Sequence, residues 1–483
     1  MRRFLLLVAL CLAVALSGVT LTVRQDGMGD YTEIQSAIDA SADGDTVLAW
    51  PGRYFENVIL NGHNITLASR ELTTGDESYI HSTIIDGDYQ NSCIRICDDE
   101  DDVSIRGFTL TRGSGCPFYD GNITGGGGVF IMGDGHVSLI NCQVKNNYAT
   151  GGGGIRVFYS DITLSGVSIH DNYADEIIGG IMFDDEIESI VFDPDNRCSI
   201  YNNWGGPPDI LCNNIDECDV VLDTFTVAQP RHYFANYSWW RSEYANHNPY
   251  SFDILNGYIE PVNHDLYVAP WGDDNSDGLT PQTPLKTIAL ALHLIASDSE
   301  NPKTVHLAEG VFNLQDGDAY YIVSLKRYVN LVGSGQETSI IDANGRHKTA
   351  IIVRSQGDST LQDFCLQGAV SQSNASSFSC YQSQNVIFRN VTSRNNISGN
   401  YTGHHFQYGE NVLYENLHIL DNFTDYWYAG MEFEGKNVTF DGCLFAGNVA
   451  GDNTGGGPCS ALKCEYVEGD LIVRNCVFRD NVA

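Results

Sequence analysis

A motif of about 25 residues recurs along this chain and restricts its fold more than any other feature of the sequence. Stretches 139–154 ("LINCQVKNNYATGGGG") and 164–180 ("LSGVSIHDNYADEIIGG") show the same order: an apolar run, an Asn or Gly, a second apolar run and a further Asn. The last Asn recurs after 172−147=25, 422−396=26 and 448−422=26 positions. A fixed period in the range of about 20 to 50 residues indicates a repeat architecture.

Aligned repeats give three columns with distinct chemistry. The first contains only Asn and Gly, which adopt the left-handed backbone region at least cost and so predict a bend: Gly107, Asn141, Gly166, Asn390, Asn416, Gly442 and Asn475. The second is apolar and predicts inward side chains: Phe108, Cys142, Val167, Val391, Leu417, Cys443 and Cys476. The third is an Asn column able to hydrogen-bond from layer to layer: Asn147, Asn172, Asn203, Asn396, Asn422, Asn448 and Asn481.

Short strands that alternate with period two around a bend predict one coil of a parallel β-solenoid. Helical repeats are longer and need apolar residues three and four apart. Leucine-rich repeats need Leu at several fixed positions, whereas the inward column accepts Val, Cys, Phe or Leu. Glycine runs at 125–128, 151–154 and 179–180 precede the next inward strand. We expect these glycines to allow a tight turn or a close approach to the neighbouring coil.

The sequence resembles the right-handed parallel β-helix proteins of the pectate-lyase-like superfamily, which carry Asn ladders in such coils. The segments 445–448 ("FAGN") and 478–481 ("FRDN") match the FxxN motif of the passenger regions of polymorphic outer-membrane proteins, and the glycine runs match the companion GG[IV] motif. Residues 266–288 ("LYVAPWGDDNSDGLTPQTPLKTI") resemble the opening of a bacterial β-helix domain family of unknown function. The resemblance implies an all-β, right-handed parallel β-helix.

A longer repeat divides the chain into two tandem units. The stretches 31–87 and 285–345 each contain a short amphipathic helix, a strand, a Gly-x-aromatic turn and an "IID" corner. A helix at this point would cap the open end of the first coil in each unit. The expected organisation is a signal peptide at 1–17, a first β-helix at 18–224, an aromatic-rich connector at 225–264 and a second β-helix at 265–483. Because the second unit ends on a ladder Asn without a cap, we expect it to be truncated at its C-terminus.

The first 17 residues indicate an exported protein. Two arginines precede an apolar run from Phe4 to Leu16, and the small residues Ala15 and Ser17 suit cleavage after Ser17. A membrane anchor needs about 20 apolar residues, and no other segment is suited to span a membrane as a helix. We therefore expect a secreted or cell-surface protein, associated with the outer membrane, whose mature chain has no transmembrane helix.

The charge balance restricts the partners. The chain has 26 Lys and Arg against 62 Asp and Glu, a net charge of −36. This charge argues against nucleic acid and anionic membrane surfaces, and against a polyanionic substrate unless Ca²⁺ bridges the two. Solubility of an extracellular repeat protein explains most of the acidity. We expect no required cofactor, with Ca²⁺ as a possible ligand.

Two acidic stretches suggest calcium sites. The loop 273–278 ("DDNSDG") has oxygen side chains at the first, third and fifth positions of a calcium loop, but Pro284 replaces the bidentate Glu, so an ordinary Asp/Gly turn is favoured. The stretch 97–102 ("CDDEDD") is interpreted as a solvated acidic turn with weak calcium binding as the alternative.

Three cysteine pairs are close enough in sequence to form disulfides after export: Cys93 with Cys97, Cys212 with Cys218, and Cys459 with Cys464.

The connector is rich in aromatic residues. They form either a sugar-stacking platform or, as we favour, a connector packed against the end of the first β-helix. The aromatic residues are Tyr233, Phe234, Tyr237, Trp239, Trp240, Tyr244, Tyr250 and Phe252.

Catalysis has little support in the columns. A lyase needs calcium-binding carboxylates from adjacent coils with a basic residue, and a glycosidase needs two carboxylates at a set separation. Asp161 and Asp171 lie in successive turns, and Asp421 and Asp480 lie beside the Asn ladder. No column of acids has a basic companion, and we expect an Asp at the ladder position to hydrogen-bond the turn. We expect surface positions for His63, His170, His404 and His405.

Catalytic and metal-binding residues are therefore left unassigned by the sequence. The favoured function is an exported scaffold or adhesin in contact with polysaccharides or cell-surface glycans. The alternative is a polysaccharide lyase or glycoside hydrolase of the pectate-lyase-like superfamily.

Overall fold

A computed structural model of the chain shows a parallel β-solenoid. It describes residues 18–97, 100–118, 123–185, 187–206, 208–230, 233–238, 248–313, 323–345, 351–354, 357–371, 377–399, 404–425, 428–451 and 459–483. The predicted signal peptide at 1–17 lies outside the described residues.

The first unit contains the following elements in chain order: β1 Thr20–Val23, α1 Ile34–Asp39, β2 Thr46–Ala49, β3 Gly52–Phe55, β4 Val58–Ile59, β5 Thr66–Ser69, α2 Glu71–Thr74, α3 Ser78–Ser82, β6 Thr83–Asp86, β7 Ile94–Ile96, β8 Asp102–Arg106, β9 Thr109–Thr111, β10 Cys116–Phe118, β11 Ile123–Gly125, β12 Val129–Met132, β13 His136–Ile140, β14 Gln143–Lys145, β15 Tyr148–Gly151, β16 Ile155–Phe158, β17 Asp161–Ser165, β18 Ser168–His170, β19 Tyr173–Ile177, β20 Ile181–Phe183, β21 Ile190–Phe192, β22 Cys198–Tyr201, β23 Ile210–Asn213, β24 Cys218–Phe225, β25 Ala235–Ser238 and β26 Tyr250–Gly257.

The second unit continues with β27 Leu266–Val268, α4 Ile288–Leu294, β28 Lys303–Leu307, β29 Gly310–Asn313, β30 Val323–Ser324, β31 Val329–Val332, β32 Ser339–Asp342, β33 Ile351–Arg354, β34 Gly357–Gln367, β35 Val370–Ser371, β36 Phe378–Tyr381, β37 Gln384–Arg394, β38 Ile397–Ser398, β39 His404–Glu415, β40 His418–Leu420, β41 Phe423–Thr424, β42 Met431–Asp441, β43 Leu444–Ala446, β44 Val449–Ala450, β45 Leu462–Arg474 and β46 Val477–Arg479.

Successive coils stack in parallel. The first unit has four sheets: two seven-stranded, β1-β2-β5-β8-β13-β17-β21 and β25-β23-β20-β16-β12-β7-β4, one eight-stranded, β26-β24-β22-β18-β14-β9-β6-β3, and one four-stranded, β10-β11-β15-β19. The second unit has a 16-stranded sheet and a four-stranded sheet, β35-β38-β41-β44. Among the described strands, the pair β10 and β11 is antiparallel. The predicted parallel β-helix is thus confirmed.

The predicted bends are confirmed at every position of the Asn and Gly column. The φ angles are Gly107 81°, Asn141 51°, Gly166 64°, Asn390 49°, Asn416 53°, Gly442 67° and Asn475 57°. These residue types tolerate positive φ, so each coil changes direction here at little cost in backbone strain.

The third column forms buried ladders of side-chain amides. Each Nδ2 donates to the Oδ1 of the next coil: Asn147 to Asn172 at 3.0 Å, Asn172 to Asn203 at 3.0 Å, Asn396 to Asn422 at 2.9 Å, Asn422 to Asn448 at 3.0 Å and Asn448 to Asn481 at 2.9 Å. The predicted ladder is therefore confirmed in both units. It satisfies polar groups that would otherwise be buried without partners.

The glycine runs bring neighbouring coils close together. Gly152 has a φ of 66°, and a β-carbon on Gly153 would collide with the carbonyl oxygen of Tyr173 in the next coil. A larger residue would force the coils apart at this point, as the sequence predicts.

A short helix covers the first coil of each unit. Helix α1 buries Ile34, Ala37 and Ile38, and the carboxylate of Glu56 accepts hydrogen bonds from the Ile34 and Gln35 backbone N–H groups at 2.9 and 2.8 Å. Helix α4 in the second unit also buries its apolar face. The helices shield the apolar side chains that an uncovered coil end would expose. Among the described residues, no helix combines the length and apolar character needed to cross a bilayer.

Each unit has its own hydrophobic core, one from Val23 to Ala235 and one from Leu266 to Phe445. Strands β25 and β26 fall within the predicted connector, where they extend two sheets of the first unit. The domain boundaries themselves stay a prediction.

The units pack together around a buried lysine. The Lys326 Nζ lies 4.6 Å from the ring centre of Tyr233 and 4.7 Å from that of Phe234, and it donates to the backbone oxygens of His293 and Ile295. These hydrogen bonds and ring contacts offset part of the cost of burying the amine.

Candidate functional site

Three adjacent strands of the second unit bring ionisable side chains onto one face. Strands β39, β42 and β45 pair in parallel, and their register places Glu432 between His405 and Lys463. The neighbouring Phe433 is buried in the core. Because side chains alternate between the faces of a strand, Glu432 lies on the outward face.

Two positions farther along the same strands, Glu434 pairs with Glu465. The set will be called the carboxylate–lysine cluster and comprises His405, Tyr428, Glu432, Glu434, Lys463 and Glu465. One carboxylate oxygen from each of its three glutamates lies within 4.8 Å of the others.

The Lys463 ammonium stands at the centre of the cluster. Its Nζ lies 2.7 Å from Glu465 Oε1 and 3.4 Å from Glu432 Oε1. It donates to the Tyr428 hydroxyl and lies 4.3 Å from the centre of that ring. His405 Nε2 is 3.1 Å from the other oxygen of Glu432, whose side chain is only 6% exposed. Glu432 is thus a buried carboxylate held between two basic side chains.

The environment shifts the proton equilibria of the cluster. Burial raises the pKa of Glu434, and the nearby Glu432 and Glu465 carboxylates raise it further against the opposing effects of His405 and Lys463. Burial lowers the pKa of the Lys463 ammonium, but its hydrogen bonds to Glu465 and Tyr428 outweigh that effect and raise the pKa overall. Lys463 therefore carries a proton at neutral pH.

The Tyr428 hydroxyl also keeps its proton. Burial raises its pKa, although the hydrogen bond with Lys463 opposes the shift. Neither Tyr428 nor Lys463 is therefore a ready proton acceptor at neutral pH, and a lyase needs such an acceptor beside its substrate.

The donor set suits a hard divalent cation. Calcium prefers carboxylate and amide oxygens, and three carboxylates converge here. The Lys463 ammonium competes for two of them, Glu432 and Glu465. Glu434 is bonded by the side-chain amide of Gln407, whose Nε2 donates to Glu434 Oε2 at 3.4 Å. A cation bound here would share these oxygens with the lysine or displace it.

Alignment of the repeats within the sequence did not reveal the carboxylate–lysine cluster, because the coils that carry it differ in the number of residues. The separations are 432−405=27 and 463−432=31 residues, so an alignment at the 26-residue period does not place Lys463 beside Glu432. The available signal was the alternation in "HHFQ", "MEFE" and "LKCE", aligned on the inward Phe406, Phe433 and Cys464.

The surface positions predicted for two histidines are wrong. His404 is 1% exposed, with its Nε2 3.2 Å from the Tyr414 hydroxyl, and His170 is buried with its Nδ1 2.7 Å from Asp171 Oδ2. The sequence pattern around each histidine does not separate an inward from an outward side chain. His63 is half-buried.

The acidic residues beside the ladder act in turns. Asp161 accepts hydrogen bonds from the backbone N–H of Glu188 and Ser189, and Asp171 accepts one from the side chain of Asn202. Asp421 and Asp480 have φ angles of 52° and 57° directly after β40 and β46. The structure does not bring these four residues together into one site.

The aspartates of the loop 273–278 accept hydrogen bonds from the loop itself and from the segment that follows it. Asp273 accepts hydrogen bonds from the backbone and side-chain nitrogens of Asn275, both at 2.9 Å, and Asp277 accepts one from the Thr283 hydroxyl at 2.7 Å. This geometry is that of the favoured Asp/Gly turn.

The second acidic stretch is not wholly solvated. Glu100 is buried and accepts a hydrogen bond from the Gly62 backbone N–H at 3.1 Å. The expectation of a solvated turn is wrong for this residue. Asp98 and Asp99 lie outside the described residues.

The aromatic residues of the connector are mostly packed. Tyr233 and Phe234 are buried, and Tyr250 stacks on Phe252 at 5.3 Å. A sugar-stacking platform is therefore wrong for Tyr233 and Phe234. Trp239, Trp240 and Tyr244, which belong to the same prediction, lie outside the described residues.

The cysteines of the described residues are all free thiols. They include the three pairs considered as disulfides. Most of them are buried, where they act as small hydrophobic side chains.

Comparisons with known proteins place the cluster near the edge of a matched region. Residues 271–456 match a family described as Protein of unknown function (DUF1565). The match lies in the unit for which the sequence predicts a β-helix domain of unknown function. It contains Glu432 and Glu434 and ends before Lys463 and Glu465. The search of curated proteins gives no match.

Solved structures with some similarity include the PL6 family alginate lyase AlyGC. The alignment has 10% identity and a TM-score of 0.22, and covers 96% of this chain and 100% of the lyase. A mutant of the same lyase gives 9% identity and a TM-score of 0.21, with coverage of 95% and 89%. Values this low carry no argument about function, and the fold assignment rests on the strand pairing described above.

Proposed function

We propose that this protein is an exported, cell-surface or secreted scaffold or adhesin that contacts acidic glycans through calcium bound at the carboxylate–lysine cluster. The convergence of three carboxylate oxygens within 4.8 Å on an outward face is the observation that carries the proposal. Calcium would be held by Glu434, Glu432 and Glu465, and a sugar carboxylate would complete its coordination. Such bridging overcomes the repulsion between a polyanion and a chain of net charge −36.

The protonation of Lys463 and Tyr428 supports a binding role for these two side chains. Lys463 and Tyr428 both keep their protons at neutral pH, because hydrogen bonding holds the proton on the first and burial holds it on the second. A protonated lysine can contact a sugar carboxylate or a hydroxyl oxygen, but it cannot abstract a proton.

Calcium titration tests the proposal. We expect Glu465→Gln to weaken calcium binding roughly tenfold in calorimetry on chelator-treated protein, because one charged ligand is lost. Glu468→Gln is the matched control, since Glu468 lies on the same strand and is exposed. Equal calcium affinity for the two variants and the parent would refute the calcium site.

A glycoside hydrolase is the second candidate. The raised pKa of Glu434 beside Glu432 and Glu465 resembles the paired carboxyl groups of glycosidases, in which one is protonated and another ionised. Release of reducing ends from acidic and neutral polysaccharides, abolished by Glu434→Gln, would establish hydrolysis. No release by folded protein that still binds glycans would leave the scaffold or adhesin role.

A further inference from the structure

A groove of about 590 Å³ lies on the first unit, on the outward face of the sheet that contains β3, β6, β9 and β14. Its floor consists of two rows of polar side chains from neighbouring coils. Thr109 pairs with Gln143, and Thr111 pairs with Lys145. These hydroxyl, amide and ammonium groups are hydrogen-bonding partners suited to sugar hydroxyls and carboxylates.

Two arginines stand at one side of the groove. Arg53 and Arg112 both pair with the carboxylate of Asp86, which is 0% exposed. The Arg53 side chain remains 45% exposed, so part of its guanidinium stays accessible. A guanidinium presents several N–H donors in a fixed plane and can bind an external carboxylate or sulfate while keeping its internal partner.

The positive charge of Lys145 is not paired with a carboxylate of the described residues. Its backbone pairs with the two neighbouring strands, whereas its side chain makes no hydrogen bond or ion pair with the described residues. Asp171 is close enough to Lys145 for a weak electrostatic interaction. Burial raises the pKa of Asp171, but hydrogen bonds from His170 and Asn202, with a smaller effect of Lys145, lower that pKa overall. Asp171 is already bonded by those two partners. Lys145 is thus available to an external anion.

Aromatic rings form another side of the groove. Tyr148 and Tyr173 come from successive coils and stack at 5.5 Å with an interplanar angle of 27°. Both residues line the groove, and because Tyr173 is only 4% exposed, Tyr148 provides the accessible ring. Apolar faces of sugar rings pack on such aromatic surfaces, whereas the ring hydroxyls need polar partners like those of the floor.

The charge of this groove contrasts with that of the whole chain. Arg53, Arg112, Lys145 and His81 line it, and no Asp or Glu is among the described lining residues. A chain of net charge −36 repels polyanions over most of its surface, so a basic recess concentrates them at one place.

We propose that this groove binds a segment of an acidic oligosaccharide, with a sugar carboxylate or sulfate at Lys145 and Arg53, hydroxyls on the polar floor and a sugar ring against Tyr148. The site rests on the proposed function only in assuming a glycan ligand. It lies on the other unit and needs no calcium.

Binding in the presence of chelator tests the groove separately. Calorimetry on the mature chain at low ionic strength, with excess chelator, would use hexagalacturonate, a sulfated hexasaccharide and neutral cellohexaose as probes. We expect one or both acidic probes to bind and cellohexaose to bind at least tenfold more weakly. The stronger of the two acidic probes identifies carboxylate or sulfate as the preferred group.

Two lysine variants give a matched comparison. Lys145→Gln should weaken binding about tenfold, while Lys286→Gln, at an exposed lysine of the second unit, should leave it unchanged. Tyr148→Ala should also weaken binding, and circular dichroism checks that each variant is folded. Equal affinity of the Lys145 and Lys286 variants for the acidic probe would overturn the proposal. So would cellohexaose, or an oligothymidylate as a polyanion without sugar carboxylates or sulfates, binding as tightly as the acidic probe.

The cluster variant separates the two proposals. Glu465→Gln should retain binding in chelator if the groove is correct, whatever its calcium affinity. Loss of calcium binding with chelator-resistant glycan binding preserved would support both sites. Absence of calcium binding in the parent protein would refute the calcium site of the proposed function but not the groove. Absence of chelator-resistant glycan binding in the parent protein would refute the groove but not the calcium site.

Discussion

The side-chain amide of Asn422 donates to the side-chain oxygen of Asn448 at 3.0 Å inside the second unit. The same oxygen accepts the Asn422 backbone N–H at 3.1 Å, and both asparagines are buried. One carbonyl oxygen therefore holds two groups of the preceding coil, and its removal would leave both without a partner.

We expect Asn422→Ala to lower the free energy of unfolding by about 3 kcal/mol, because it removes the acceptor of two buried N–H groups of Asn396. Urea denaturation measures the loss. The control is Asn416→Gly, since Gly occupies the equivalent bend at Gly166 and Gly442 with positive φ. Its expected loss is below about 1 kcal/mol. Similar losses for the two variants would contradict a special role for the buried ladder.

Asp86 joins Arg53 and Arg112 through a buried carboxylate. Burial raises its pKa, but hydrogen bonds with Arg112, the Asp88 backbone and Arg53 outweigh burial and lower the pKa below 3.8. Since the folded pKa is below the unfolded one, the stabilisation is present above about pH 4 and is lost as pH falls through the folded pKa.

We expect Asp86→Asn to cost about 3 kcal/mol at pH 7, because two arginines lose a buried partner, and to flatten the acid dependence of stability below pH 4. Urea denaturation at pH 7 and pH 3 measures both effects. Asp88→Asn is the control, since Asp88 pairs with Arg112 but is 62% exposed. A cost for Asp88→Asn as large as that for Asp86→Asn would show that burial is not the cause.

Two buried histidines should make the protein sensitive to mild acid. Burial lowers the pKa of His293 and of His404 to about 3, with smaller effects of Lys326 and His405 respectively. The unfolded chain binds a proton at each near pH 6.5, so stability falls as pH drops below that value. At pH 5 each histidine should cost about 2 kcal/mol relative to pH 7.

Thermal unfolding between pH 5 and 7 checks this dependence in the parent protein and in His404→Phe. The Phe side chain keeps an aromatic ring among Phe378, Phe388 and Phe406, and removes the titrating group. We expect a smaller decrease in Tm from pH 7 to pH 5 in the variant. An unchanged pH dependence would mean that His404 titrates normally in the folded protein.

Lys463 should compete with calcium for the cluster. Lys463→Gln removes the ammonium that lies 2.7 Å from Glu465 and 3.4 Å from Glu432, so calcium affinity should rise roughly tenfold. Lys436→Gln is the control, because Lys436 is 52% exposed and its ammonium makes only a long contact of 3.8 Å with Glu410. Calorimetry with both variants measures the difference, and a decrease in calcium affinity for Lys463→Gln would contradict competition between the ammonium and calcium.

The fold was predictable because its determinants recur locally in each coil. Asn141 and Asn147 each reveal their role by residue type and by repetition at a fixed spacing. The candidate site was not predictable in the same way. Glu432 and Lys463 meet only through strand pairing across 31 positions, and this separation exceeds the 26-residue period that a repeat alignment uses. The hydrogen bond from the Gly62 backbone to Glu100 likewise joins residues 38 positions apart.

The Asn ladder keeps its geometry when the chain between its members changes length. Asn147 and Asn172 are 25 positions apart and Asn172 and Asn203 are 31 apart, yet both hydrogen bonds measure 3.0 Å. Extra residues are accommodated in the turns, while each coil advances by one strand spacing of about 4.8 Å. The solenoid therefore fixes the spacing between side chains of successive coils. Insertions and deletions in its turns can change the outward surface during evolution without altering that spacing.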